Sequence, residues 1–416
     1  MAVFPPVPVS TFANLRYGKA LQEGFRRPGL VPVYGTNGQC GWHDTALAQP
    51  PGVILGRKGQ GHLGVEWCER PFWVIDTAYF ADIDTTKVDP RWFFFITRYV
   101  GLDDLKTGEK PGLQREAFLS QIFPLPPLPE QRAIAEVLGA LDDKVELNRQ
   151  MNHTLEEMAS ALFKSWFVDF EPVIAKAEGR RPFGMDVATA DLFPQTFDGL
   201  LPLGWVNREG SSWFTIDKGI SYKGEYLTEL GKPMINLGCF LGKGRFRGER
   251  IKGYAGEYRT RHVVRPGDIV MANTDMTQER LILGSPCIVP DVGDVPEFLF
   301  SHHVFALRLL PGSETAREFL VQVLQLDAFR ERAEGFANGT TVLGMPADAV
   351  LGAELLDPGP SLIAAFDAHA GMWRRLAEAN SREARTLTAL RDALIPKLLS
   401  GEVRVKQAEK LVEAAL

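Results

Sequence analysis

The sequence lacks the features that would mark a membrane or secreted protein. It contains no run of about 18 apolar residues, which argues against a transmembrane helix. Its amino terminus has no basic start followed by an apolar core, so no signal peptide is predicted and the cytoplasm is the expected location. Cys40, Cys68, Cys239 and Cys287 are widely spaced and form no CxxC pair. This spacing argues against a zinc site and a disulfide framework and predicts buried thiols.

Motifs that carry common catalytic chemistry are also missing. The chain has no HExxH, no GxSxG, no Walker A sequence and none of the Asn/Asp-Pro-Pro-Tyr/Phe tetrapeptides with which amino-methyltransferases hold a flipped base. The loop GRKGQG at 56–61 lacks the terminal Gly-Lys-Ser/Thr of a phosphate-binding loop. We therefore predict no catalytic residue, no metal site and no cofactor on this chain. Arg57 and Lys58 in that loop are either solvated or in contact with a phosphate backbone.

Length and composition describe a soluble globular protein of at least two domains. The chain has 416 residues, of which 45% are hydrophobic and 24% charged. Residues 1–123 and 201–357 both read as mixed α/β domains, because short β-like runs alternate with turn sequences and helical segments. Such runs include 31–34, 52–55, 72–75, 234–237, 268–272, 287–290 and 304–309, with helices at 91–99 and 316–332.

The segment 124–170 organises the remainder of the chain. A proline run that begins at Pro124 cannot be helical, and its last proline, Pro129, suits the first position of a long helix whose apolar residues recur at alternating steps of four and three. This heptad seam predicts a coiled-coil helix that requires a partner. Its candidate positions are Ile134, Leu138, Leu141, Val145, Asn148, Asn152, Leu155, Ala159, Leu162 and Trp166.

An internal repeat supplies the partner. Pro126 and Pro358, Ile134 and Phe366, and Leu141 and Trp373 are each 232 residues apart, as are Asn148 and Asn380, Leu155 and Leu387, and Leu162 and Leu394. Two weaker similarities relate PGVILGRKG at 51–59 to PGDIVMANT at 266–274, and DTAYFADI at 76–83 to HHVFALRL at 302–309. The second seam runs through Leu362, Phe366, His369, Trp373, Leu376, Asn380, Glu383, Leu387, Leu390 and Leu394.

The repeat predicts two similar domains joined by an antiparallel two-helix coiled coil, in a dumbbell arrangement. The predicted segments are domain 1–123, helix 124–170, connector 171–200, domain 201–357, helix 358–405 and tail 406–416. Asn148 and Asn380 are candidates for setting the register of the seam, a commoner role for such residues than ligand binding. His369 is likewise interpreted as a seam residue and not as a metal ligand.

The strongest indication of a partner is a basic segment in the second domain. The formal net charge of the whole chain is -6, which by itself counts against nucleic acid. Residues 243–265 nevertheless concentrate arginine and lysine with interleaved aromatic residues, a pattern that suits double-stranded DNA although a solvated basic loop is the simpler alternative. Candidate contacts are Lys243, Arg245, Arg247, Arg250, Lys252, Arg259 and Arg261 in this segment, and Arg26, Arg27, Tyr34, Thr36, Asn37, Arg57 and Lys58 in the first domain.

The long helices also resemble a known family. PLPPLPEQRAIAEVLGALDDKVELNRQMNHTLEEMASALFKSWFVDFEPV resembles the central conserved region of type I restriction-modification specificity subunits, and LTALRDALIPKLLSGEVRV resembles their carboxy-terminal conserved region. YGTNG, LGRKG, PFWVIDTAY and PGLQR are similar to segments of one branch of their first target-recognition domains. The second domain shows only a generic similarity.

The resemblance implies a subunit without catalysis of its own. Each domain would read one half of a split DNA target, and the helices would dock two modification subunits that bind S-adenosylmethionine and methylate adenine. Restriction subunits would add ATP- and Mg²⁺-dependent cleavage. Two alternatives stay open, namely a specificity subunit for a methyltransferase without an endonuclease, and a coiled-coil scaffold with no DNA role.

Overall fold

The computed structural model describes residues 4–59, 61–107, 112–242, 244–276, 281–293, 295–337 and 343–414. The chain divides into two compact units, one formed by residues 1–147 with 383–416 and the other by residues 148–382. Each long helix therefore contributes one half to each unit. Within the described ranges, no helix combines the length and apolar character needed to cross a membrane.

Short strands and two helices precede the first long helix. They are β1 (Pro6–Pro8), β2 (Ala13–Tyr17), β3 (Val31–Gly35), β4 (Gly38–His43), β5 (Gly52–Gly56), β6 (Val65–Cys68), β7 (Trp73–Val74), β8 (Ala78–Ile83), α1 (Pro90–Val100), β9 (Lys106–Thr107), β10 (Gly112–Leu113), α2 (Arg115–Leu119) and β11 (Ile122–Pro124). The long helix α3 (Leu128–Phe167) follows, and then α4 (Glu171–Ala177) and α5 (Val187–Asp191) lie within the predicted connector.

The second half of the chain repeats this order. It contains β12 (Phe197–Asp198), β13 (Leu201–Pro202), β14 (Val206–Glu209), β15 (Phe214–Lys218), β16 (Leu227–Ile235), β17 (Lys252–Tyr254), β18 (Val263–Val264), β19 (Ile269–Ala272), β20 (Thr274–Asp275), β21 (Pro286–Ile288), β22 (Phe298–Phe300), β23 (Val304–Leu309), α6 (Arg317–Val323), α7 (Asp327–Gly335), β24 (Leu343–Gly344), α8 (Ala347–Leu351), β25 (Glu354–Asp357), α9 (Pro360–Ser400) and α10 (Val405–Glu413).

Sheet topology confirms the internal repeat. The first unit has an antiparallel sheet in the order β2-β8-β5-β6 and a second sheet, β4-β3-β7, in which β3 and β7 are parallel. The second unit has the sheet β15-β23-β19-β21 and the sheet β17-β16-β22-β18, in which β16 and β22 are parallel. The strands that carry the two weak sequence similarities, β5 with β19 and β8 with β23, thus hold the same places in their sheets.

Two glycines mark the same close approach in each unit. A Cβ atom on Gly18 would lie 2.1 Å from the carbonyl oxygen of Ile75, and one on Gly219 would lie 2.2 Å from that of Ser301. Only glycine lets the chain leave the end of β2 or β15 against the neighbouring backbone.

With Gly18 and Gly219 equivalent, strand pairing fixes the register of the repeat. Leu55 pairs with Tyr79 as Met271 pairs with Phe305, so Leu55 corresponds to Met271. The predicted alignment of 51–59 with 266–274 is therefore wrong by one residue, whereas that of 76–83 with 302–309 is confirmed. The reason is that β5 and β19 are buried on both faces, so their apolar pattern does not reveal which face each residue occupies.

Most of the predicted seam residues are buried or partly buried within one unit or the other. Ile134, Leu138, Leu141, Leu387 and Leu394 are buried in the core of the first unit, with Val145 partly buried against it. Each fully buried side chain of this kind stabilises the fold by about 1.5–3 kcal/mol. In the second unit Ala159, Trp166 and Phe366 are buried in the core, Leu162 and Trp373 pack against it, and Leu155 is half-buried.

The two helices are antiparallel within each unit. Along α3, Asn152 accepts a hydrogen bond from the Asn380 amide over 2.9 Å, while Phe163, eleven residues further on, packs on Phe366, with 5.7 Å between ring centroids. The Asn152 amide also donates to the Ser381 hydroxyl over 2.9 Å. In the first unit Asp142 pairs with Arg391, and Lys144 approaches Glu383 to 3.6 Å. Asn380 thus bonds to Asn152, and Asn148 is buried.

Some sequence predictions need correction. Leu376 is 45% exposed and His369 is exposed, so neither is enclosed by the seam, although the His369 ring does touch the edge of Trp166. A strict heptad pattern drifts round a straight helix by about 20° per repeat, which moves such positions off the contact line.

The predicted helix 316–332 is instead α6 and α7, separated by an extended Leu326. Cys40 is exposed, whereas the other three cysteines are buried.

The equivalent helices α1 and α6 each have a carboxylate at their amino-terminal end, but the two carboxylates come from different elements. In α1, Asp89 caps its own helix and accepts hydrogen bonds from the backbone N–H groups of Arg91 and Trp92. In α6 the capping position is Ala316, and Asp367 of α9 accepts from the N–H groups of Glu318 and Phe319 over 3.0 and 2.9 Å. The second cap therefore joins α6 directly to the long helix.

The ion pairs beside these caps have inverted charges. Arg91 of α1 pairs with Asp143 of α3, whereas Glu318 of α6 pairs with Arg374 of α9 over 2.6 Å. Arg374 also pairs with Glu378 at 2.6 Å. The same helix contact is thus made twice with opposite polarity.

We predict that Arg374→Ala lowers the free energy of unfolding by about 3 kcal/mol, because it leaves two largely buried carboxylates close together without a cation. The exposed neighbour Arg375→Ala is the matched control and is expected to change it by less than about 0.5 kcal/mol. Equal denaturation midpoints for the two variants would contradict the assignment.

A second prediction concerns Asp367, whose pKa is raised by burial to about 7, well above its ordinary value. Since the folded chain holds this proton more tightly than the unfolded chain, the resulting stabilisation is present at low pH and is lost as pH rises through about 7. Asp367→Asn cannot titrate, so wild type should gain stability relative to this variant between about pH 8 and about pH 5. Thermal unfolding across that range measures the difference, with exposed Asp327→Asn as control. Parallel pH profiles for wild type and Asp367→Asn would refute it.

Candidate nucleic-acid interface

Three of the predicted first-domain residues come together where strands end. The Thr36 hydroxyl donates to the carbonyl of Lys58 over 2.7 Å, which ties the β3–β4 turn to the segment after β5. Arg57 lies over the rings of Tyr17 and Tyr79, 4.8 and 5.4 Å from their centroids, and donates to the carbonyl of Asp76 over 3.1 Å. Arg57 is half-buried in this arrangement, and the Tyr17 ring beside it is exposed.

Lys58 completes this surface. Its ammonium group lies 2.8 Å from an Asp76 carboxylate oxygen, and that hydrogen bond lowers the pKa of Asp76. Because Lys58 and Asp76 are both about half exposed, the pair is weak and Lys58 can turn to an incoming phosphate. Asn37, in the same turn as Thr36, is also exposed.

The other first-domain candidates have different surroundings. Tyr34 is 8% exposed, packs on Phe72 and has its pKa raised by burial, so it is a core residue and not a surface contact. Arg26 is half-buried and donates to the carbonyl of Cys40 over 2.6 Å. Arg27 is exposed and forms an ion pair with Asp44 at 2.7 Å, which lowers the pKa of that carboxyl.

The basic segment of the second domain is mostly at the surface. Lys243 lies outside the described residues, and Arg247 is half-buried beside Glu249. The exposed members of the segment are Arg245, Arg250, Lys252, Arg259 and Arg261. Lys252 begins β17, and the backbone at Arg250 is held by the buried Asn236, whose amide donates to its carbonyl over 2.7 Å. Arg250 and Lys252 are therefore presented from fixed backbone, which suits phosphate contacts.

The second domain also has a counterpart of the Arg57 surface, which the sequence analysis missed. Arg57 donates its backbone N–H to Thr77 and accepts from Leu113, and Asn273 makes the same two bonds with His303 and Met345, all at 2.8–3.0 Å. The Asn273 side chain donates to the carbonyl of His302 over 3.0 Å, as Arg57 does to that of Asp76.

Neutral polar side chains therefore occupy the place that cations hold in the first domain. Thr274 corresponds to Lys58, and its hydroxyl lies 2.9 Å from Nδ1 of His303. Burial, together with the adjacent His302, lowers the pKa of His303 and so favours its neutral form. A search for charged residues overlooks this set. The only signal in the sequence was the weak repeat, read in the correct register.

Neither surface has the makings of a metal centre. Across the part of the chain that the structure describes, no group of three or more His, Cys, Asp or Glu side chains is arranged to hold a metal ion. The grouped side chains instead offer hydrogen-bond donors, acceptors and positive charge.

Comparison with known proteins agrees with this picture. A sequence model of the type I restriction modification DNA specificity domain matches residues 78–157. The chain is 25% identical to the HindI specificity subunit of Haemophilus influenzae over 334 residues, which are 72% of each chain. It is 37% identical over 84 residues to the MjaIX specificity subunit of Methanocaldococcus jannaschii, covering 20% of this chain and 19% of that protein.

A solved structure shares the fold along almost the whole length. The S subunit of a type I restriction-modification system from M. genitalium superposes with a TM-score of 0.57, covering 95% of this chain and 96% of that one at 15% sequence identity. The duplicated mixed α/β unit and the paired long helices are therefore features that the two share. In sequence the chain is therefore similar to the DNA specificity subunits of type I restriction-modification systems, and it shares the fold of one of them.

Proposed function

We propose that this chain reads a two-part DNA sequence, one half with each unit, and that it assembles the subunits that act on that DNA. The observation that carries the proposal is the duplication of one fold with different polar side chains at equivalent strand ends. Arg57 and Lys58 stand in one unit where Asn273 and Thr274 stand in the other. Two copies of one fold that carry different side chains at their strand ends are suited to two different half-sites.

The side chains at these strand ends suit the two requirements of sequence-specific DNA binding, which are attraction to phosphates and discrimination among base edges. Arginine and lysine attract phosphates irrespective of sequence and also bind guanine edges, whereas neutral side chains discriminate among base edges through donors and acceptors. The exposed cations at 245–261 and at Arg27 and Lys58 supply the attraction that the net charge of -6 lacks. DNA binding is therefore expected to weaken steeply with salt.

Catalysis is assigned to partner subunits. Two modification subunits would bind S-adenosylmethionine and methylate adenine, and restriction subunits would use ATP and Mg²⁺. Exposed apolar side chains on α3 and α9, including Met151, Met158 and Met372, lie outside the seam and suit subunit contacts. The second candidate function is that of a specificity subunit for a methyltransferase that works without an endonuclease. Because the same chain would serve either complex, the neighbouring genes and a test for ATP-dependent cleavage distinguish the two candidates.

We predict that exchanging Arg245, Arg247 and Arg250 together for glutamate weakens DNA binding and makes its salt dependence shallower, because up to three phosphate contacts are lost. Subunit assembly should be unchanged. The exposed pair Arg180→Glu and Arg181→Glu in the connector is the matched control. Titration of duplex DNA at several salt concentrations is the measurement, and an unaltered affinity and salt slope would refute the role of the segment.

A further prediction tests the two-part target. Methylated adenines mapped in cells that carry the complete system should define two fixed half-sites and a spacer. Inserting one heptad in both helices, after Leu147 and after Arg382, lengthens each by about 10.5 Å and should change the spacer by roughly three base pairs with the half-sites intact. The control insertion in α3 alone breaks the seam register and should abolish assembly. An unchanged spacer with both insertions would contradict the proposal.

A further inference from the structure

The strand ends of the second unit carry a set of side chains that differs in kind from the basic segment. Thr274, His302 and His303 lie together, since the Thr274 hydroxyl is 2.9 Å from the His303 ring and the two imidazoles stack with 3.8 Å between their centroids. His302 is exposed, and Thr274 and His303 are half-buried. None of the three residues is fully buried.

We propose that Thr274, His302 and His303 determine the base preference of the second unit, with Asn273 as their positioning residue and the basic segment as a phosphate clamp. The inference rests on the proposed function and deepens it, because it divides base reading from phosphate binding within one unit. It also moves the specificity determinant of this unit from the charged residues at 243–265 to neutral ones.

Equivalence within the repeat is the first argument. Asn273 is 5% exposed, and its amide donates to the carbonyl of His302, just as Arg57 donates to that of Asp76. Both contacts fix the turn that precedes a central strand, β8 or β23. The fold thus builds the same rigid platform twice and changes only the side chains on it, which is the place where two readers of different sequences must differ.

Hydrogen-bonding chemistry is the second argument. A neutral imidazole has one donor nitrogen and one acceptor nitrogen, and the bond between the Thr274 hydroxyl and Nδ1 of His303 orients that ring. A threonine hydroxyl beside an oriented imidazole offers hydrogen-bonding groups of the kind that discriminate base edges in the major groove. Arginines on flexible stems, by contrast, bind phosphates of any sequence equally well.

Continuity with the basic segment is the third argument. The ring of Tyr222 contacts those of His302 and Tyr254, with 6.0 and 6.2 Å between centroids, and Tyr254 lies on β17 beside the exposed Lys252. Ring contacts through Tyr222 and the buried Tyr254 therefore connect the neutral set with the strand that carries Lys252. DNA held by the cations would pass the three reading side chains.

The test is selection of bound duplexes from a random-sequence pool with the full-length chain, followed by sequencing. Wild type should enrich a two-part motif. Thr274→Val and a His302→Ala, His303→Ala double variant should each flatten the preference at one half of the motif, with a loss of about tenfold or more for the preferred duplex. The other half should keep its preference.

Two controls separate the possible failures. Lys252→Ala should weaken binding to all duplexes alike and reduce the salt slope by about one, with both half-motifs intact. Thr274→Ser retains the hydroxyl and should restore the preference, which shows that the fold of the unit is not at fault. Unchanged half-motifs in the Thr274→Val and double-histidine variants would overturn the inference while leaving the proposed function standing. A wild-type chain that enriches no two-part motif would overturn both.

Discussion

The structure depends on the need of two long amphipathic helices to cover each other's apolar seam. Ile134 and Leu394 are buried in one unit, and Trp166 and Phe366 are buried in the other. Without its antiparallel partner, either α3 or α9 would expose these apolar side chains to water. Within the seam the hydrogen-bonded Asn152 and Asn380 are satisfied only in one alignment of the helices. Apolar burial thus supplies stability, and the amide pair adds a penalty for slipped registers.

In both units, a short helix packs on a long helix in the same way, but the capping residue and the charges of the ion pair differ. The start of α1 is capped by Asp89 from within, and the start of α6 by Asp367 from α9. The neighbouring ion pairs, Arg91 with Asp143 and Glu318 with Arg374, have opposite polarity. Since an exchange of helices between the repeats would bring like charges together, these pairs favour the observed partner for each unit. A duplicated chain faces this problem because its two halves otherwise offer interchangeable surfaces.

The side chains proposed to contact DNA lie where the two repeats diverge. The sheets and the close approaches at Gly18 and Gly219 are shared, whereas the side chains after β5 and β19 are Arg57 and Lys58 in one case and Asn273 and Thr274 in the other. Because the shared fold holds these side chains at its surface, they can be substituted to change binding preference without loss of stability.

The sequence by itself determined the elements whose signals are local and periodic. The seam from Ile134 to Trp166, its copy 232 residues later and the mixed α/β class of both domains follow from heptad spacing and turn chemistry. Tertiary structure alone decided which residues the repeat makes equivalent, because β5 and β19 are apolar on both faces and a one-residue slip leaves no trace in their pattern. It also placed Tyr34 in the core and left Leu376 exposed. Above all, it brought Asn273, Thr274, His302 and His303 together from two separate segments, and no local signal in a sequence records a contact made only on folding.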